Sequence, residues 1–296
     1  MTSDLFSGDA GDVTHPWRRL KRTMGEVAFE AIDRAVLTGP RTDRLAREQP
    51  GRRVLVTGVY RPGSQMGEAV ERLHSERHDV RFALGAVEDA EPALAERTVA
   101  ERLSGGKFEN LNRVLAAEPG GAAAGPRGGA PSGDLDFDWI LAVDDDVRLP
   151  LRFLDRFIAL CERFALDLAQ PAQTLRSHSA WRVTRRLPAS LVRETRFVEI
   201  GPLTAFGRRA VAELLPFPEL RFGWGLDLHW AALAAERGWR LGVVDATPVR
   251  HESATVGSAY PRPDAEAEAT LFLESRPYLP AARAGDVLAV HRRAGG

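Results

Sequence analysis

Three consecutive aspartates, Asp144-Asp145-Asp146, close the uninterrupted apolar run Trp139-Ile140-Leu141-Ala142-Val143. Carboxylates crowded at the end of a buried strand repel one another and are costly to keep charged. A bound divalent cation offsets both penalties. Alternate side chains can turn toward one ion, so Asp144 and Asp146 are the candidate ligands and Asp145 points elsewhere. Carboxylate oxygens suit Mn2+ or Mg2+, which keep waters and take phosphate oxygens as further ligands. The competing reading is helix capping, which needs the aspartates just before the first helical turn. Pro150 marks the expected first helical residue and leaves the cap position to Leu149, so the aspartates stand too early for that role. Phosphatases, nucleotidyltransferases and glycosyltransferases all use acidic turns of this kind.

Two further segments carry chemistry. In Gly223-Trp224-Gly225-Leu226-Asp227 the glycines allow a tight loop, and the indole offers a flat apolar face suited to a sugar ring. Asp227 then falls in the first turn of a helix, whose dipole favours its ionised form; a carboxylate there can act as a general base. His251 follows a late strand, and a neutral imidazole is a good ligand for Mn2+. His229 lies two residues past Asp227 and so faces away from it on a helix.

These residues need a scaffold. Val54–Tyr60 reads as a buried strand, 65–76 as a helix and Val80–Val87 as a second strand, a spacing that predicts a βαβ unit and a parallel sheet. Lys107–Ala117 reads as a helix, Leu166–Gln170 and Arg196–Ile200 as strands, and Gly207–Leu215 and Leu226–Arg237 as helices. Trp239–Asp245 is a late strand with Val249-Arg250-His251 just beyond it. The fold class is thus α/β. Residues 1–50 form a helical arm with a basic cluster at Pro16–Arg22, and Gly39-Pro40 is expected to end its helix. Residues 51–255 form the main domain, interrupted by a Gly/Ala/Pro-rich flexible loop at 118–134, and 256–296 form a C-terminal extension.

The 296 residues are 44% hydrophobic and 27% charged, the balance of an ordinary globular protein. A net charge of −1 gives no overall pull toward nucleic acid. The single cysteine excludes an intramolecular disulfide and a cysteine-rich zinc site. The sequence shows no apolar run of membrane-spanning length and no signal-peptide pattern at Met1-Thr2-Ser3-Asp4, so a cytoplasmic protein without an integral membrane span is expected.

The order of the pieces resembles GT-A glycosyltransferases, in which a first strand meets the nucleotide base, an Asp-x-Asp turn holds metal and diphosphate, a carboxylate opens an acceptor-side helix and a late histidine completes the metal shell. Phe222–Asp227, then Gly242-Val243-Val244-Asp245 and His251, with Val198-Glu199 before Gly201-Pro202-Leu203, look closer still to an uncharacterised glycosyltransferase-like family. That family carries Gly-Trp-Gly-Leu-Asp and Gly-Val-Val-Asp segments before a histidine. The resemblance covers about residues 53–252 and implies a GT-A-type, Rossmann-like mixed sheet, mostly parallel and flanked by helices. It implies a hexosyltransferase-like enzyme that moves a sugar from a UDP- or GDP-sugar donor to an acceptor hydroxyl, using Mn2+ or Mg2+. By carry-over, Asp144, Asp146 and His251 hold the metal. Thr57, Arg61, Lys107, Asn112, Asp144 and Asp145 meet the donor, Trp224 and Gly225 meet the acceptor, Asp227 is the base of an inverting reaction and Glu199 is a reserve carboxylate. Leu226 stands where family 2 enzymes usually carry an acidic residue, and the Gln-x-x-Arg-Trp pattern of processive synthases is missing. The alternatives are a catalytically silent glycosyltransferase-like module that binds nucleotide or sugar, and a metal-dependent nucleotidyltransferase.

Overall fold

The computed structural model describes residues 15–118, 136–252 and 261–294. Most of the segment expected to be a flexible loop at 118–134 lies outside the described residues. The chain enters through α1 (Pro16–Ala35) and α2 (Thr38–Glu48), followed by β1 (Arg53–Tyr60), α3 (Met66–Leu73), β2 (Asp79–Ala86) and β3 (Thr98–Ala100). Next come α4 (Lys107–Ala117), β4 (Trp139–Val143), the short β5 (Val147–Arg148), α5 (Phe153–Arg163) and β6 (Leu168–Gln173). The rest is β7 (Val192–Thr195), β8 (Leu203–Gly207), α6 (Arg208–Leu214), α7 (Leu226–Arg237), β9 (Leu241–His251), α8 (Arg262–Leu273) and β10 (Val287–His291).

One sheet runs in the order β10-β7-β9-β6-β8-β4-β1-β2-β3, with β5 paired to β9 off this path. The pairs β3–β2, β2–β1, β1–β4 and β6–β9 are parallel, while β8 and β7 run against their neighbours. The result is the expected mixed, mostly parallel α/β sheet flanked by helices. Alternation along β4 shows how it is covered. Ile140 and Ala142 pack with Phe108 and Leu111 of α4 and Trp230 of α7, whereas Trp139, Leu141 and Val143 pack with Phe153 and Phe157 of α5. Strands buried on both faces read as continuous apolar runs, which is why β4 carries no polar residue. Each fully buried large apolar side chain contributes about 1.5–3 kcal/mol relative to exposure.

The elements depart from the sequence expectations at four places. The strand expected at Arg196–Ile200 is instead β7 at Val192–Thr195, and Phe197 is buried from a loop, its ring 4.6 Å from that of Trp181. Apolar content alone does not distinguish a strand from a buried loop. Gly39-Pro40 does not end a helix; it lies in the first turn of α2, where proline's missing N–H costs nothing. Helix α5 starts at Phe153, not Pro150, because Val147–Arg148 pair with β9 and the turn follows them. Strand β9 continues through His251 instead of stopping at Asp245.

Candidate functional site

The carboxyl ends of β1 and β4 converge on the acidic turn. Gly58 allows their close approach, since a Cβ there would lie 2.5 Å from the Val143 carbonyl oxygen. The three aspartates then diverge. Asp144 is held through its N–H, which donates to the Pro202 carbonyl at 2.8 Å, and its carboxylate meets Lys107 Nζ at 2.5 Å. Lys107 also donates to the Ile200 carbonyl at 3.1 Å, so the first residue of α4 is fixed beside the turn. A Cβ at Gly201 would lie 2.7 Å from Asp144 Oδ2 and 3.3 Å from Lys107 Nζ, so only glycine leaves this pair undisturbed.

Asp145 turns away and is buried. Its carboxylate accepts from Arg61 Nε at 3.0 Å, Arg61 Nη2 at 2.9 Å and the Arg61 backbone N–H at 3.0 Å. A bidentate pair of this kind is among the strongest local constraints a surface turn can carry. Asp145 therefore positions the turn and Arg61.

Asp146 faces His251 because β5 pairs with the end of β9, in the register Val147 with His251. The Glu252 N–H donates to the Asp146 carbonyl at 2.9 Å, and His251 Nε2 lies 3.1 Å from Asp146 Oδ1. His251 Nδ1 lies 3.3 Å from the His178 carbonyl, which fixes the ring and aims Nε2 at the acidic turn, the second-contact arrangement usual for a ligating imidazole. Ligand atoms of Asp144, Asp146 and His251 all fall within 4.8 Å of one another. Two carboxylates and one imidazole are a donor set that fits Mn2+ or Mg2+.

The electrostatics agree with that fit. Burial raises the pKa of Asp144, and the charge of Asp146 adds to this, while Lys107 and His251 oppose it. Burial lowers the pKa of His251, but its hydrogen bond and charge contact with Asp146 outweigh this and raise it overall. A divalent cation would take over the role of the proton that this pair otherwise holds.

A cleft of about 290 Å³ lies against the turn, lined by Tyr60, Arg61, Lys107, Asn110 and Asp144 to Asp146. Arg61 and Lys107, two of the expected donor contacts, thus line the cleft beside the acidic turn. Thr57 and Asn112 do not. Thr57 is wholly buried in the middle of β1. The Asn112 amide is spent on the backbone of Phe217, accepting from its N–H at 2.9 Å and donating to its carbonyl at 2.8 Å. Asn110, one helical turn from Lys107, reaches the cleft instead.

Two carboxylic acids with raised pKa values stand close by. Glu199 sits between β7 and β8, where Gln173 Nε2 donates to its Oε2 at 3.0 Å and the Glu199 N–H donates to Gln170. Burial, then the charge of Asp227, pushes Glu199 up to about 8. Asp227 opens α7 and accepts from the Leu228 N–H at 2.9 Å. Burial pushes it up to about 7, so desolvation overrides the helix dipole that was expected to keep it ionised. Either group can hold or release a proton near neutral pH.

The Gly-Trp-Gly segment is fastened from outside. Glu268 of α8 accepts from the N–H groups of Arg221, Phe222 and Gly223 at 2.7, 2.9 and 2.9 Å. Gly223 and Gly225 have φ of 75° and 87°, and a Cβ at Gly223 would fall 2.0 Å from the Phe108 ring. Trp224 is half-buried, with the Arg262 guanidinium 5.7 Å from its ring centroid. Gly225 is packed against Leu273. Sequence reasoning quoted Gly201 only as part of a segment, without a role, and missed Glu268, Gln170 and Gln173. Those three belong to no recognisable motif, and each acts through a fold-dependent contact.

No family model and no curated protein matches the sequence. Solved structures of similar fold do match, among them the following two. One is the mannosyltransferase PcManGT from Pyrobaculum calidifontis in complex with GDP-Man and Mn2+, at 17% identity over 74% of this chain and 66% of that one, with a TM-score of 0.44. The other is GalNAc-T7 with UDP, GalNAc and Mn2+, at 12% identity over 72% of this chain and 45% of that one, with a TM-score of 0.48. The chain thus spans just under two thirds of the first structure and under half of the second. Among the described residues, no helix is long and apolar enough to cross a membrane.

Proposed function

We propose that this chain is a divalent-metal-dependent glycosyltransferase that moves a sugar from a nucleotide-sugar donor to an acceptor hydroxyl. The observation that carries the reading is the convergence of Asp144, Asp146 and His251 within 4.8 Å, beside a cleft lined by Lys107 and Arg61. In this reading those three residues hold Mn2+ or Mg2+, and the ion, when bound, supplies Lewis-acid stabilisation of the departing diphosphate. Lys107 adds a cation at the same place, and Arg61, held by Asp145, faces the donor cleft. Asp227 takes the proton of the acceptor hydroxyl as that oxygen bonds the anomeric carbon, while the bond to the nucleotide phosphate breaks and its electron pair leaves with the nucleotide. This assignment makes the reaction inverting. Glu199, pushed up to about 8 by burial and by the charge of Asp227, is the reserve carboxylate beside it.

The test is thermal melting with nucleoside diphosphates and nucleotide sugars, with and without Mn2+. Ligands that bind only the folded state raise Tm by mass action. A Mn2+-dependent rise with one nucleotide, lost in Asp146→Ala, is expected. No rise with any nucleotide in folded protein would sink the reading.

A further inference from the structure

Helix α1 is built the wrong way round for a helix packed on a protein. Its apolar residues Trp17, Leu20, Met24 and Val27 recur at spacings of three and four, so they form one stripe. That stripe faces out. Trp17 is 73%, Met24 66% and Val27 56% exposed, and Leu20 and Ile32 are exposed beside them. The acidic residues face in. Glu26, which is buried, accepts from the Leu175 N–H at 2.7 Å and from Arg186. Asp33 accepts from Arg186 and from the Ala189 N–H at 2.7 Å. The helix therefore cannot bury its stripe by turning about its axis, because the turn would strip Arg186 and two backbone N–H groups of their acceptors. The segment it clamps also holds the late histidine: the His251 N–H donates to Ser177 Oγ at 3.1 Å.

A contiguous apolar stripe held in water marks a contact surface, and the charges beside it select the partner. Arg18, Arg19 and Lys21 are exposed around Trp17 and Leu20, and the first turn of the helix holds no acidic residue. Of the carboxylates of α1, Glu26 and Asp33 are engaged inside and Glu30 is half-buried, 3.7 Å from Arg34. A second copy laid on the same face would set cations against cations, with no unengaged carboxylate to meet them. An anionic bilayer complements both features: its headgroups take the cations, and Trp17 and the aliphatic side chains enter the boundary below. Among the described residues no helix is long and apolar enough to cross a membrane, so α1 would lie along the surface.

We propose that the outer face of α1, with Trp17, Leu20, Met24 and Val27 flanked by Arg18, Arg19 and Lys21, docks on the surface of an anionic lipid bilayer. This contact does not depend on the transferase reading.

The full chain is sedimented with vesicles of phosphatidylcholine alone and with phosphatidylglycerol added, at low and high salt. Retention that requires phosphatidylglycerol and falls as salt screens the headgroups is expected. It should come with a blue shift of tryptophan emission that Trp17→Leu removes. Met24→Glu and Lys21→Glu should each weaken retention by about tenfold or more. Met24→Leu should keep it, as should Leu271→Glu, at an equally exposed apolar position on α8. Met24 and Lys21 are exposed, so their replacement leaves folding intact, which circular dichroism verifies. No retention on either vesicle overturns the contact, and so does equal retention on both. Retention that Leu271→Glu removes and Met24→Glu keeps overturns it as well, since that puts the lipid on another face. A dimer in sedimentation velocity that Met24→Glu dissociates, without retention on anionic vesicles, would give the face to a second copy instead.

Discussion

Asp245→Asn tests whether the interior of this fold depends on one buried charge pair. Arg193 on β7 donates from Nε to Asp245 Oδ2 at 2.9 Å and from Nη2 to Oδ1 at 2.8 Å. The Leu187 N–H donates to the same Oδ1 at 2.9 Å, and the guanidinium also donates to the carbonyls of Val183 and Arg185 at 2.8 and 2.6 Å. Side-chain exposure is 7% for Arg193 and 0% for Asp245, so neither charge can fall back on water. Asparagine keeps the shape but replaces one acceptor oxygen with an amide that faces a donor. Losing one member of a buried pair costs about 3–5 kcal/mol, because the remaining charge stays buried. A native domain has only about 5–15 kcal/mol in total, so the loss is a large share of stability. The assay is urea denaturation followed by far-UV circular dichroism, comparing midpoints at equal slope. The double variant Arg193→Met with Asp245→Leu should recover most of the loss, since both charges are gone. A loss below about 1 kcal/mol for Asp245→Asn would refute the reasoning and place the pair among exposed, water-screened contacts. The outcome bears on function because the strand that holds Asp245 also delivers His251 to the acidic turn.

Gly201→Ala should leave the fold within about 1 kcal/mol of the native protein, since only side-chain ends must move, yet weaken Mn2+ binding by about 10–100-fold by displacing Asp144; calorimetric titration with Mn2+ reads this directly. Asp227 and Glu199 have folded pKa values of about 7 and about 8, above those of the unfolded chain, so the folded state binds the extra protons. Their contribution is complete below about pH 4 and is lost as pH rises toward 7–8, on the order of a few kcal/mol; in metal-free protein Asp227→Asn should flatten that fall in urea stability. Transferase activity should rise with pH through about 7 as Asp227 loses its proton, and a profile flat across pH 6–8 with chemistry rate-limiting would remove it as the base. Glu268→Ala strips three backbone N–H groups of their acceptor and should cost about 1–3 kcal/mol, with Trp224 fluorescence shifting as its loop loosens.

Several features were legible in the residues because they depend on local chemistry. The apolar run at 139–143 predicts a strand covered on both faces, and β4 is that strand. The glycines around Trp224 predict a tight loop, and both adopt positive φ. Leu226–Arg237 is a helix with the predicted limits, because Gly225 and Gly238 bracket it. Three adjacent carboxylates could not all face one way, and Asp145 does turn from its neighbours onto Arg61. Boundaries failed where pairing between distant segments decides them. Strand β9 is extended to His251 by β5, a partner of two residues that no periodicity can reveal.

What the sequence by itself determined is the kind of chemistry: acidic groups ending a buried strand, and a late histidine able to join them. Only the tertiary structure decided which of these groups meet. The distance from Asp146 to His251 depends on a strand pairing across more than a hundred residues, and the Lys107 contact on where the start of α4 is packed. Desolvation likewise belongs to the whole fold. Asp227 at a helix start reads as an ionised group, but the burial that raises its pKa comes from segments brought together only when the sheet and its helices close.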